Sequence, residues 1–171
     1  LEAKNIATTL NSKTYIYPLY EEPLGVYLDE KVNNKGTSYS CFGYVKFEQK
    51  ISLDAAKAKI SQLLGFHPVL KTRILDVNGL PYGLTDGEVE INVLNKNFAE
   101  IDLNDLVLPF NFAKSLSRFF IIQSKNNTYL AYDMHHMISD ATSMVLINIE
   151  LDKILNGINK KSIVKTILFI F

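Results

Sequence analysis

Only three histidines occur in these 171 residues, and two of them, His135 and His136, are adjacent. Asp140 follows four residues after the second, and the pair ends an apolar run that begins at Thr128. Imidazole changes charge near neutral pH, so one histidine in a cleft is the commonest general base. If the strand over 128–136 continues to its last residue, side chains alternate between faces. Leu130, Tyr132, Met134 and His136 then share one face, and Tyr129, Ala131, Asp133 and His135 share the other. The two histidines therefore have different tasks. His135 has Asp133 two residues back on its own side, a carboxylate that can fix its tautomer. His136 stands just before a helix, where side chains reach a cleft.

Other chemistries fit the pattern less well. A zinc site needs three or four convergent ligands, yet the pair points to opposite sides and Cys41 lies in another strand. Ser139 and Ser143 are close in sequence but lack the strained glycine elbow that exposes a serine nucleophile. No glycine spacing of a P-loop or dinucleotide fingerprint follows a strand.

Composition sets the frame. Hydrophobic residues make up 47% and charged residues 21%, a balance suited to a globular fold with its own core. Lysine plus arginine equals aspartate plus glutamate at 18 each, and no element collects a basic stripe, which argues against nucleic acid. A single cysteine suits a reducing, cytoplasmic setting. No apolar run approaches the length of a membrane-spanning helix. The sequence opens on Leu1, as expected of a piece of something longer, and closes on "TILFIF", which pairs either inside this unit or with a neighbour.

The elements that must position the histidines follow from periodicity and punctuation. Residues 17–27, "YPLYEEPLGVY", predict an extended entry and a short helix. "SYSCFGYVKFEQ" reads as a strand. "SLDAAKAKISQLLG" predicts a helix capped by Ser52 and ended by Gly65. "VLKTRILDV" and "LPYGLT" form a hairpin around an Asn-Gly turn, and "EVEINVLN" is a further strand. A polar-studded stretch over 96–115 leads into the strands "SRFFIIQ" and "TYLAYDMHH". The last helix spans "SDATSMVLINIELDKILNG", capped by Ser139 or Asp140. This order, without strict βαβα alternation, predicts an α+β sandwich and a single lobe over 1–171.

Several of these segments carry a resemblance. "HHMISDA", residues 135–141, resembles the HHxxxDG signature of condensation domains of nonribosomal peptide synthetases, which share the chloramphenicol acetyltransferase fold. "FHPVLKTRI", residues 66–74, is similar to the family's RHExLRTxF motif through His67, Leu70 and Thr72, with Lys71 at the second arginine. "YPLYEEPLGVY" is similar to the opening segment YPLxxxQxGxY. "LPFNFAKSLSRFFII" resembles the approach to the last strands. Ala141 stands where the family has glycine, Pro23 where it has glutamine, and Phe66 and Pro68 replace an arginine and an acid.

The resemblance implies a chloramphenicol acetyltransferase-like mixed sheet with helices packed on it, the N-terminal lobe of a two-lobed domain whose C-terminal lobe is missing here. It implies amide formation between an acyl thioester and an aminoacyl group, each on the phosphopantetheine arm of a carrier protein domain, with no cofactor bound by this lobe. His136 is the residue expected to accept the proton or orient the amine. His135, Asp140, Arg73 and Lys71 are expected to support the site. Arg73 is the first choice of partner for Asp140 on bidentate geometry, Lys71 the choice by motif, and a helix cap without a basic partner the remaining reading. The rivals are an acyl-CoA-dependent acyltransferase of the same fold and a non-catalytic docking lobe. The isolated lobe is expected to be inactive and to self-associate, most simply as a homodimer.

Overall fold

The computed structural model describes residues 14–33, 36–47 and 50–156. The "TILFIF" run lies outside them. Among the described residues seven strands and three helices follow in chain order: β1 (Ile16–Pro18), α1 (Glu21–Asn33), β2 (Ser40–Lys46), α2 (Leu53–Phe66), β3 (Arg73–Val77), β4 (Leu80–Leu84), β5 (Glu90–Leu94), β6 (Ser117–Gln123), β7 (Thr128–His135) and α3 (Ala141–Asn156). The main sheet has the order β2-β7-β6-β5, antiparallel except for the parallel pair β5–β6. A second sheet, β1-β4-β3, is antiparallel throughout. The expected mixed α+β sandwich is what forms.

Both faces of the main sheet are covered, which is why β6 and β7 read as nearly unbroken apolar runs. On one face Phe119, Ile121, Leu130, Tyr132 and Met134 pack against Ala56, Ile60 and Leu63 of α2 and Met144, Ile147 and Leu151 of α3. On the other, Phe42, Phe120, Ile122 and Ala131 meet Leu106 and Val107, carried by short 3₁₀ turns in the polar-studded stretch. Tyr132 ties β7 to α3 by donating its hydroxyl to Asn148 Oδ1 at 2.9 Å. Its ring lies over Gly43 on β2, its register partner, where an added Cβ would stand 2.5 Å from the hydroxyl oxygen.

Local chemistry explains most boundaries. Ser52 caps α2 by accepting from the Ala55 N–H, as its sequence position predicts. Asn78 and Gly79 both take positive φ, 55° and 83°, the requirement of the tight hairpin turn between β3 and β4. The boundaries on either side of Pro68 differ from expectation. Gly65 does not end α2; the helix runs to Phe66, and His67 caps it by donating its N–H to the Leu63 carbonyl. Residues 68–71 form a 3₁₀ turn opened by Pro68, and the strand begins only at Arg73. Proline fixes its own φ and supplies no N–H to a ladder, so the run after it coils before it extends.

Two of the sequence segments meet at one junction. Tyr17 and Thr72 share a 2.9 Å hydroxyl–hydroxyl hydrogen bond, with Thr72 fully buried. Leu116 N–H donates to the Thr72 carbonyl, His135 N–H donates to the Leu116 carbonyl, and Ser117 Oγ donates to the Leu70 carbonyl. The end of β7 is thereby fixed to residues 70–72 and 116–117.

Candidate functional site

β7 ends at His135, and His136 occupies the turn that follows rather than the strand. The two histidines differ in exposure: His135 is 1% exposed, whereas His136 is only half-buried. The His135 ring meets Phe110 and Phe112 edge-on, with centroids 5.7 Å and 5.0 Å away, and Tyr39 tilts against it at 6.0 Å. Its Nδ1 accepts the Met137 N–H at 3.2 Å. With that lone pair engaged, the proton of the neutral ring belongs on Nε2. Burial pushes the His135 pKa down to about 4, so the ring is neutral at neutral pH.

The carboxylate beside His135 is Glu30, not Asp133. Glu30 Oε1 lies 3.5 Å from His135 Nε2, just beyond ordinary hydrogen-bond length. Asp133 instead sits 3.5 Å from Arg118 Nε, its register partner on β6. The reason is strand geometry. Residues two apart on one strand are separated by about 6.5–7 Å, while cross-strand partners stand about 4.5–5.5 Å apart. The register partner of His135 is the small Ser40, and α1 brings Glu30 up to the ring.

Asp133 is fully buried, and neither of its oxygens accepts a hydrogen bond of sound geometry. Burial pushes its pKa up to about 7, against the pull of Arg118. Arg118 lies 4.0 Å over the Phe110 ring and donates to the Leu108 carbonyl. Phe110 therefore touches both the guanidinium and the imidazole.

His136 is held by its backbone. Its N–H donates to the Tyr39 carbonyl at 2.8 Å, and the Tyr39 hydroxyl donates to Asp29 Oδ2 at 2.8 Å. The turn closes with Ile138 N–H and Ser139 Oγ both donating to the His135 carbonyl. Of the two cap candidates, Asp140 is the cap: its Oδ1 accepts from Ser143 N–H and Ser143 Oγ, each at 2.6 Å, while Ser139 serves the turn. Those bonds hold the Asp140 carboxyl below the usual carboxylate range.

The expected Asp140–Arg73 pair does not form. Arg73 Nε donates to Asp86 Oδ1 at 2.6 Å and Nη2 to Asp86 Oδ2 at 3.2 Å, a bidentate contact with the residue that follows the β3–β4 hairpin. Asp86 lies 13 positions along the chain, just past the end of β4, whereas Asp140 caps α3. Lys71 does not replace Arg73 in that role either. It lies in the 3₁₀ turn, not on a strand face with Arg73, and its carbonyl accepts the Gly87 N–H at 2.7 Å. Gly87 is required there, because an added Cβ would stand 2.6 Å and 2.7 Å from the carbonyl oxygens of Lys114 and Lys71. Arg73 thus pairs with Asp86 and Lys71 contributes its backbone carbonyl. Ala141 takes the first helical position of α3 without positive φ, so its methyl group strains nothing in the backbone.

Glu30, Tyr39 and Arg118 were not legible as site residues. Glu30 lies in the charged run "LDEK", which reads as a solvated helix face, and its contact with His135 spans 105 positions. Among the described residues no three His, Cys, Asp or Glu side chains converge as metal ligands, and no helix is long and apolar enough to cross a membrane.

Comparison with known proteins places this geometry in context. The family model described as "Condensation domain" matches residues 13–166. Bacitracin synthase 3 of Bacillus licheniformis is 27% identical over 156 residues, covering 88% of this chain and 2% of that protein. Gramicidin S synthase 2 of Aneurinibacillus migulanus is 25% identical over 150 residues, covering 84% of this chain and 3% of that protein. Among solved structures, the starter condensation domain of rhizomide synthetase superposes with a TM-score of 0.70 at 17% identity, over 82% of this chain and 38% of the other. The first condensation domain of the CDA synthetase gives 0.69 at 15%, over 91% and 43%. The chain thus spans a few per cent of the synthetases it matches and about two fifths of the solved domains.

Proposed function

The chain belongs to the condensation-domain family, and from that membership we propose that it is the histidine-bearing N-terminal lobe of a peptide-bond-forming acyltransferase. The amine of an aminoacyl group on one carrier protein attacks the acyl thioester on another. A C–N bond forms, the C–S bond breaks, and the thiol of a phosphopantetheine arm leaves with a proton. The arms belong to the carriers, so the lobe needs no resident cofactor for this chemistry.

His136 is the general base or orienting residue. The observation that supports this role is the contrast within the pair: His135 is sealed among rings, while His136 stands half-buried on a turn whose backbone is tied down at both ends. A fixed imidazole at a surface can accept the ammonium proton as the amine attacks, or hold the amine on its line of approach. Holding two tethered reactants in register itself removes a large entropic part of the barrier.

Acyl transfer by the full-length protein that carries this lobe tests the reading. Product from a carrier-bound acyl thioester, and not from acyl-CoA, is the expected result. Transfer from acyl-CoA alone would make it an acyl-CoA-dependent acyltransferase of the same fold. Carrier binding without transfer would make it a docking lobe.

A further inference from the structure

Two adjacent carboxylates on α1 reach the two backbone positions that carry His136, by separate routes. Asp29 Oδ2 accepts from the Tyr39 hydroxyl, and the Tyr39 carbonyl accepts the His136 N–H. Glu30 Oε1 faces His135 Nε2, and His135 Nδ1 accepts the Met137 N–H. We propose that Glu30 is a positioning residue for His136, acting through the His135 ring: its carboxylate selects the Nε2–H tautomer, which leaves Nδ1 free to hold the Met137 N–H and so fixes the turn that aims His136. This inference rests on the role given to His136 in the proposed function.

The chemistry of imidazole links the two contacts. A neutral ring has one N–H and one lone pair. With the carboxyl oxygen at Nε2, the tautomer that places its hydrogen there is favoured, and the lone pair falls on Nδ1. The opposite tautomer would set a lone pair against the Glu30 oxygen and an N–H against the Met137 N–H. The ring is 1% exposed and lies against the rings of Phe110, Phe112 and Tyr39. Met137 is itself 5% exposed and packs with Tyr27 of α1 and Leu116, so a shift in its backbone would disturb the core beneath the turn.

Glu30→Gln keeps a carbonyl acceptor at the same reach, and Glu30→Leu removes it. In the full-length protein Glu30→Leu is expected to lower kcat roughly 10- to 100-fold, the scale of a misplaced catalytic group, with KM for both carrier substrates little changed. Glu30→Gln should restore most of kcat. In a His135→Asn background, Glu30→Leu should add nothing, since the ring through which it acts is gone. Nitrogen-15 spectra of histidine-labelled wild-type protein, with His135 assigned by its loss in His135→Asn, should show the Nε2–H tautomer. That measurement needs no folded Glu30 variant and no activity.

A wild-type Nδ1–H tautomer overturns the proposal, as does an undiminished kcat in Glu30→Leu, or an equal loss in Glu30→Gln and Glu30→Leu. A wild-type protein that makes no amide product would instead sink the reading of the site, with the tautomer still reporting on the Glu30–His135–Met137 linkage.

Discussion

The Arg118 guanidinium lies 3.5 Å from the Asp133 carboxylate, yet burial prevails over the attraction and pushes the Asp133 pKa up to about 7. Two neighbours on one strand face therefore respond to pH in opposite senses. Asp133, raised from 3.8, holds a proton in the folded state that the unfolded chain has released between about pH 4 and 7. That stability is complete below the unfolded pKa and is lost as pH rises through the folded one. His135, lowered from 6.5 to about 4, has released its proton in the folded state across nearly the same range, so its contribution grows as pH rises.

Asp133→Asn should unmask this cancellation. Between pH 4.5 and 6.5 the stability of the variant relative to wild type is expected to rise with pH, with a slope approaching about 1.4 kcal/mol per unit, that of one proton. Urea denaturation at three pH values reads it. A difference that does not change with pH would show that Asp133 is already ionised in the folded protein.

Substitution of the two histidines should separate activity from stability. His136→Ala is expected to leave the melting temperature near that of wild type and to remove amide formation in the full-length protein. His135→Ala opens a void among three aromatic rings and strips the Met137 N–H of its acceptor, so it should destabilise the fold by about 2 kcal/mol or more. A stable but inactive His135→Ala alongside an active His136→Ala would reverse the assignment.

Arg73 and Asp140 should behave independently. A double-mutant cycle of Arg73→Gln with Asp140→Asn is expected to be additive within about 0.5 kcal/mol. The cycle with Asp86→Asn should show a coupling of about 0.5–1 kcal/mol, since both groups are about a quarter exposed. Asp140→Ala alone should lose about 1 kcal/mol as a helix cap. Coupling between Arg73 and Asp140 would mean that the contact with Asp86 exchanges for one with the α3 cap.

Gly43→Ala probes the junction of β2 with β7. The added methyl group would overlap the Tyr132 ring, whose hydroxyl is tied to Asn148 of α3. Overpacking of this kind costs about 1–3 kcal/mol, and chemical denaturation should show the loss. An unchanged midpoint would mean that the ring moves aside without losing its bond to Asn148.

Local signals were enough to place most elements. The Asn-Gly turn, the Ser52 cap and the apolar runs of β6 and β7 depend on neighbours a few positions away, and all were legible in the sequence. Strand alternation does not account for the contrast between the two histidines, because β7 stops at His135 and His136 already belongs to the turn. The misjudged boundary at 68–71 had a local cause too, a proline whose missing N–H keeps the chain out of the ladder.

Partner choice was different. From the sequence, Asp133 stood nearest His135 and Arg73 was the best guanidinium for Asp140. Sheet register gave Asp133 to Arg118, the hairpin gave Arg73 to Asp86, and α1 brought Glu30 to His135 across 105 positions. A charged side chain carries no mark of the residue it will meet. The sequence alone determined the kinds of groups and the faces they occupy. Only tertiary structure decided which groups meet, because those distances depend on strand pairing and helix packing between segments far apart in the chain.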